Sequence, residues 1–300
     1  MEILWILISL YLLLSFIFFH VAFNRRIKKT FIRRSNDIKH TDYSYIKADQ
    51  AWFLEKKPSE LWIHHQNLDY HAYHLELNKD QPTVILVHGF SSQGLAMSVF
   101  AKQYYEDFNY NLLLIDLSGH GQSTGTYIQY GYGERQLINA LVNALKDEGY
   151  KAHFYLHGVS MGAATLLFSQ STLLDTSIKG MICDAPYTDM LPIFKRQVKK
   201  IFKLSDVFIL PGLNFWMKLY LGFSAQDLNL NKHLKKLSHP TLILHGLKDH
   251  FVPYQQSIDL KAQHPEIQLE LFEHSEHVTS LRDEPKRYQS VIKNFILENQ

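Results

Sequence analysis

The 300-residue chain has one cysteine, Cys183. No intrachain disulfide can form, and nothing ties the protein to an oxidising compartment. Cys183 lies in the strand-like run Gly180 to Asp184, where a small thiol packs as a buried hydrophobe. A phosphate loop of Walker form is missing, and no dinucleotide fingerprint opens a helix, which removes two large nucleotide-using classes. His64, His65, His71 and His74 cluster, but no cysteine or paired carboxylate joins them, and strand alternation puts His71 and His74 on opposite faces. No metal and no other cofactor is therefore expected. Internal repeats and low-complexity tracts are also missing.

A further absence is of charge. The 21 residues Ile3 to Phe23 contain no Asp, Glu, Lys or Arg. At about 1.5 Å per residue such a helix spans roughly 30 Å, the thickness of a bilayer core. A cleaved signal peptide would carry a basic leader, a shorter apolar stretch and small residues at the cut. Here only Met1 and Glu2 precede the run, and the basic residues Arg25, Arg26, Lys28, Lys29, Arg33 and Arg34 follow it. Such a flank resists translocation, so the expectation is an uncleaved single-pass anchor with the remainder of the chain on the cytoplasmic side. Arg25 to Arg34, interleaved with Ile27, Phe31 and Ile32, reads as a short interfacial continuation. Residues 1–23 are thus a transmembrane anchor and 24–58 a basic juxtamembrane segment and linker. Residues 59–300 form the globular domain, and removal of residues 1–34 should release it in active form.

The net charge of +2 hides a division. Residues 1–39 and 187–240 carry seven and nine Lys/Arg against two and three Asp/Glu, leaving 15 basic and 24 acidic residues elsewhere. Both basic segments contain long apolar runs, which fits an anionic membrane surface better than nucleic acid.

From Glu60 onwards strand and helix patterns alternate. Leu61–His65 and Tyr70–Leu77 read as a hairpin. Thr83–Val87, Asn111–Leu117, Ala152–His157, Gly180–Asp184, Thr241–Leu244 and Leu269–Phe272 read as further strands. Helical spacing marks Gly133–Leu145, Ala163–Gln170 and Leu281–Leu297. This alternation implies a doubly wound, mainly parallel sheet with helices on both faces. The interruption from about 187 to 240 has no strand character and follows a strand end, where it would cover the ligand side as a helical lid. Within it Met190, Phe194, Val198, Ile201 and Phe202 alternate with Lys195, Arg196, Lys199, Lys200 and Lys203, and Pro211-Gly212 is expected to break the apolar run Val207–Phe223. The basic face could meet the same membrane as the anchor, or the two pieces could be an ordinary cap.

Gly158-Val159-Ser160-Met161-Gly162 stands between a strand and a helix. A serine on that turn is exposed at a helix N-terminus, where free N–H groups and the dipole favour a developing oxyanion. Gly121-Gln122-Ser123-Thr124-Gly125 fits the same pattern but opens no helix, so Ser160 is the preferred nucleophile. A serine hydroxyl needs a base within hydrogen-bond reach, and the base needs an orienting acid.

Four motifs in order resemble the α/β-hydrolase fold family, over roughly residues 60 to 300. They are His88-Gly89-Phe90, Asp116 to Ser123, Gly158 to Gly162, and Leu244 to Pro253. The lidded layout resembles the serine aminopeptidase-like and lysophospholipase-like branches. The resemblance implies Asp249 as acid, with Asp184 as alternative, and His277 as base, with His274 as competitor. It also implies the backbone N–H groups of Phe90 and Met161 as the oxyanion hole. The expected function is a membrane-anchored serine hydrolase cleaving a carboxylic ester of a small-molecule or lipid-like acyl substrate through an acyl-enzyme. Peptidase, amidase, thioesterase or acyltransferase chemistry by the same triad stays open, as does a catalytically silent binding module.

Overall fold

The computed structural model describes residues 1–27, 44–151, 153–202 and 206–300. Lys28, Lys29, Arg33, Arg34, Ala152 and Lys203 lie outside the described residues, as do the side chains of Lys200, Ile201 and Phe202.

Eight strands form one sheet: β1 (Ser59–His65), β2 (Leu68–Leu75), β3 (Thr83–Val87), β4 (Asn111–Ile115), β5 (Phe154–Val159), β6 (Ile178–Asp184), β7 (Thr241–Gly246) and β8 (Gln268–Phe272). Their order is β1-β2-β4-β3-β5-β6-β7-β8. The hairpin β1–β2 and the pair β2–β4 are antiparallel, and every later pair is parallel. Every residue of β3, β4, β5 and β7 is buried, which is why these runs are mostly apolar instead of alternating.

Among the described residues ten α-helices accompany the sheet: α1 (Glu2–Phe23), α2 (Ser44–Glu55), α3 (Ser98–Phe108), α4 (Leu137–Asp147), α5 (Met161–Ser169), α6 (Leu191–Phe202), α7 (Asp206–Leu221), α8 (Gln255–Gln263), α9 (Ser280–Asp283) and α10 (Pro285–Glu298). On one face Phe53 of α2, Phe100 and Tyr104 of α3 and Tyr288, Ile292 and Phe295 of α10 share a core with the sheet. On the other face the core joins α4, α5, the lid and the end of α1. All nine residues of α5 are buried, as a helix apolar on every side requires.

Three features differ from the sequence reading. The stretch read as a linker contains α2, held by Phe53 in the core. The closing helix is two pieces, because Pro285 cannot donate to the preceding turn and instead starts α10 at its first turn. Pro211 does not break α7. The helix continues through it, and the Gly212 N–H, one residue on, donates to the Tyr11 hydroxyl of α1 at 2.8 Å.

The lid consists of α6 and α7 followed by two short 3₁₀ turns, Ala225–Asp227 and Leu230–Lys232. Ile193, Phe194 and Val198 of α6 turn inward, while Lys195 and Lys199 are exposed. The apolar stripe of α6 therefore faces the protein and Lys195 and Lys199 face outward, while Arg196 turns back to donate to Phe251 O.

The helix α1 is the one described helix long and apolar enough to cross a bilayer. Its first four turns are largely exposed, but Phe19 and Phe23 are fully buried in the core. The chain after it is stitched in place: Ile128 N–H donates to Phe23 O at 2.8 Å, and Arg25 N–H to Thr126 O at 2.9 Å. A cut after residue 34 would therefore remove core side chains along with the apolar run. Phe23→Ala is expected to destabilise the domain by about 3–5 kcal/mol, the usual cost of emptying a buried aromatic site. Detergent-solubilised protein would be melted to check it; an unchanged midpoint would mean that α1 is only tethered to the fold.

Candidate active site

Ser160 follows β5 and immediately precedes α5, with φ 52° and ψ −113°. A non-glycine residue there stores strain of about 1–3 kcal/mol, sustained only by surroundings that over-determine it. The flanking glycines permit the turn. A β-carbon on Gly162 would strike the carbonyl oxygen of Val87, and one on Gly158 would strike the backbone of Gly162. The Ser160 N–H donates to Asp184 O at 2.7 Å, which ties the turn to β6.

Asp249 lies in the turn after β7 and His277 in the turn after β8, so both stand with Ser160 at the carboxyl ends of parallel strands. His277 Nε2 is 2.8 Å from Ser160 Oγ. His277 Nδ1 is 2.6 Å from Asp249 Oδ2. The other carboxylate oxygen, Oδ1, accepts from the N–H groups of Phe251 at 2.9 Å and Val252 at 2.8 Å. His245 Nε2 also approaches Oδ2, at 3.2 Å, while its Nδ1 meets the Ser257 hydroxyl at 2.7 Å.

The charges follow from this arrangement. Burial of the Asp249 carboxyl acts to raise its pKa, but the His277 charge and the hydrogen bonds from both histidines outweigh it and hold the group well below the usual carboxylate range. Burial of the His277 imidazole acts to lower its pKa, and the Asp249 charge and hydrogen bond reverse that, so the net shift is upward from 6.5.

The alternatives occupy other positions. Ser123 is fully buried, donating to Asp116 O at 2.6 Å and accepting from the His71 N–H at 2.8 Å. His274 is exposed, with its backbone N–H toward Glu284. Asp184 is fully buried and accepts from the Tyr288 hydroxyl at 2.9 Å; burial lifts its pKa to about 6. Of the clustered histidines, His71 meets Asp116 at 2.8 Å, His64 meets Asp69 at 2.8 Å, and His74 faces the Tyr150 hydroxyl at 3.3 Å.

Met161 is the first residue of α5, where backbone N–H groups have no intrahelical acceptor. The loop carrying Phe90 passes close by: a β-carbon on Gly89 would lie 3.3 Å from Ser160 Cβ. His88 fixes that loop. Its Nδ1–H donates to Gly89 O at 2.7 Å and its Nε2 accepts from the Leu117 N–H at 3.0 Å, which defines the neutral tautomer. Burial lowers the His88 pKa and keeps it neutral. Asp116 anchors the next loop, accepting from the N–H groups of Gly94 at 2.6 Å and Gln122 at 3.0 Å. The sequence reading used both residues only as motif letters; their burial at strand ends next to glycines was the available signal.

Above Ser160 opens an apolar pocket. Its walls come from Phe90, Tyr130, Met161 and Tyr187, from Met190, Ile193, Phe194, Gln197 and Val198 of the lid, from Ile209 and Leu213 of α7, and from Phe251. Phe18, Val21 and Ala22 of α1 complete it. Phe90 stacks on Tyr130 with centroids 5.3 Å apart, so its side chain is a pocket wall. The contributions of Tyr130, Tyr187 and α1 were not read from the sequence.

Residues 78–215 match the family profile described as serine aminopeptidase, S33. The Bacillus subtilis protein YqkD is 26% identical over 231 residues, covering 76% of this chain and 75% of its own. The lysophosphatidylserine lipase ABHD12 of Danio rerio is 25% identical over 246 residues, covering 77% of this chain; the match spans 62% of that longer lipase. Among solved structures, an esterase of Pyrococcus furiosus superposes with a TM-score of 0.66 at 20% identity, covering 82% of this chain and 93% of its own. By these likenesses the chain has the α/β-hydrolase fold, and its residues 78 to 215 are similar to the family described as serine aminopeptidase, S33.

Proposed function

We propose that the protein is a membrane-anchored serine hydrolase that cleaves the carboxylic ester of a lipid-like, single-chain acyl substrate. The observation that carries the reading is the 2.8 Å contact of His277 Nε2 with Ser160 Oγ at the floor of an apolar pocket. His277 takes the Ser160 proton as the hydroxyl attacks the ester carbonyl, and Asp249 stabilises the imidazolium that forms. The N–H groups of Phe90 and Met161 stabilise the tetrahedral oxyanion. His277 then returns the proton to the departing alcohol, leaving an acyl-Ser160, and water activated by the same imidazole releases the acid.

An aminopeptidase needs an acidic group to hold the substrate ammonium. The pocket lining contains no Asp or Glu among the described residues, which favours an acyl chain over a peptide. The lipase relative, the apolar α1 and the basic residues Arg25 and Arg26 after it support a membrane lipid as substrate and a cytoplasmic domain.

The test is labelling of the full chain with a fluorophosphonate, followed by turnover of butyrate, octanoate and palmitate esters. Labelling that is lost in Ser160→Ala, with higher kcat/KM for the longer esters, is the expected result. A protein that neither labels nor turns over any ester would be a binding module instead.

A further inference from the structure

The pocket above Ser160 is incomplete without α1. Phe18, Val21 and Ala22 close one side of it. Several contacts lock α1 in that position. Gly212 of α7 approaches Ser15 so closely that a β-carbon there would collide with it. Trp216 Nε1–H donates to Ser15 Oγ at 3.0 Å, and its ring lies 4.7 Å from Phe16. The Tyr130 hydroxyl, from another pocket wall, donates to Ala22 O at 3.3 Å. The Arg25 guanidinium donates to Ser123 O at 2.7 Å, pinning the helix end to the strand-end loop. The same helix leaves Leu4, Leu7, Leu10 and Ile17 exposed, and α7, packed against it, leaves Phe215 and Leu219 exposed. Together with the length and apolarity of α1, that exposure suits a surface that meets lipid.

Resting on the hydrolase reading above, we infer that α1 is part of the substrate site: its last turns form the wall that sets which acyl-chain lengths the enzyme accepts. The bilayer segment is then a specificity element as well as a tether. The substrate class that fits is a membrane amphiphile with one linear acyl chain, lying against Phe18, Val21 and Ala22 while its ester meets Ser160. Bulk added at α1 shortens the space for the chain, and bulk removed lengthens it. Apolar pockets discriminate by roughly tenfold or more per mismatched methylene, so the effect is readable in kinetics.

The experiment uses the full chain in detergent micelles, with p-nitrophenyl butyrate and palmitate as probes and fluorophosphonate labelling as a check on the nucleophile. Ala22→Phe is expected to lower the palmitate-to-butyrate ratio of kcat/KM at least about tenfold. Phe18→Ala should move the palmitate-to-butyrate ratio in the opposite direction. Leu10→Trp, on the exposed face of the same helix, should leave the ratio unchanged. Should Ala22→Phe lose butyrate turnover through misfolding, the Phe18→Ala ratio decides. An unchanged ratio in the pocket-facing variants, with butyrate turnover intact, overturns the role of α1 and leaves the hydrolase reading standing. A wild-type chain that neither labels nor hydrolyses butyrate removes the hydrolase reading itself, and this inference with it.

Discussion

Ser160→Ala is expected to lower kcat on the order of 10⁶-fold, to the level left by binding and oxyanion stabilisation alone. The serine sits 2.8 Å from His277 Nε2, on a strained turn with φ 52° and ψ −113°. Ser123→Ala, in the other matching motif, should keep turnover and lose stability instead. It removes a hydroxyl that accepts from the His71 N–H and donates to Asp116 O, both buried, at a cost of about 1–3 kcal/mol. Turnover and thermal melting of the two variants separate the effects. A Ser160→Ala/His277→Ala double variant should be no slower than Ser160→Ala, because the two act as one unit. An active Ser160→Ala enzyme, or an inactive but fully folded Ser123→Ala enzyme, would reverse the assignment.

The two motifs also mark what could be read from the chain. Ser160 was distinguishable because a helix pattern follows it, whereas Thr126–Gly133 after Ser123 has none. The central strands were legible because burial on both faces leaves short, mostly apolar runs. Asp249 and His277 came through family resemblance, since the partners of a triad meet only in three dimensions. Other features had too little local contrast. In α8, only Ser257 and Leu260 are buried, so a nearly polar helix gave no periodic signal. The run Ile3–Phe23 is apolar on every side, so nothing in it marks where the helix leaves the exposed face and enters the core at Phe19 and Phe23. Pro211 signalled a break, but α7 runs through it packed on α1, where the Gly212 N–H donates to the hydroxyl of Tyr11, 201 residues away in sequence and beyond any local rule.

The second large effect is expected at Asp249. Asp249→Asn keeps the side-chain shape, and its carbonyl oxygen should take the place of Oδ1, which accepts from the N–H groups of Phe251 and Val252. The amide NH₂ then points where Oδ2 stood, toward His277 Nδ1. A donor there requires Nδ1 to accept, so the imidazole proton moves to Nε2, the atom that must take the Ser160 proton. The base is lost without loss of the fold, at a cost on the order of 10⁴ in kcat, by analogy with serine proteases. The pH profile carries an independent sign. In the wild type the imidazole must be neutral to act, and its pKa is raised above 6.5, so kcat/KM should fall as pH drops through a value above 6.5. In Asp249→Asn the raising charge is gone while burial still lowers the pKa. The acid limb of the residual activity should therefore shift to lower pH. Measured pH–rate profiles of both proteins, with near-identical melting curves, are the check. Wild-type kcat/KM in Asp249→Asn, or an acid limb that does not move, would exclude Asp249 as the orienting acid.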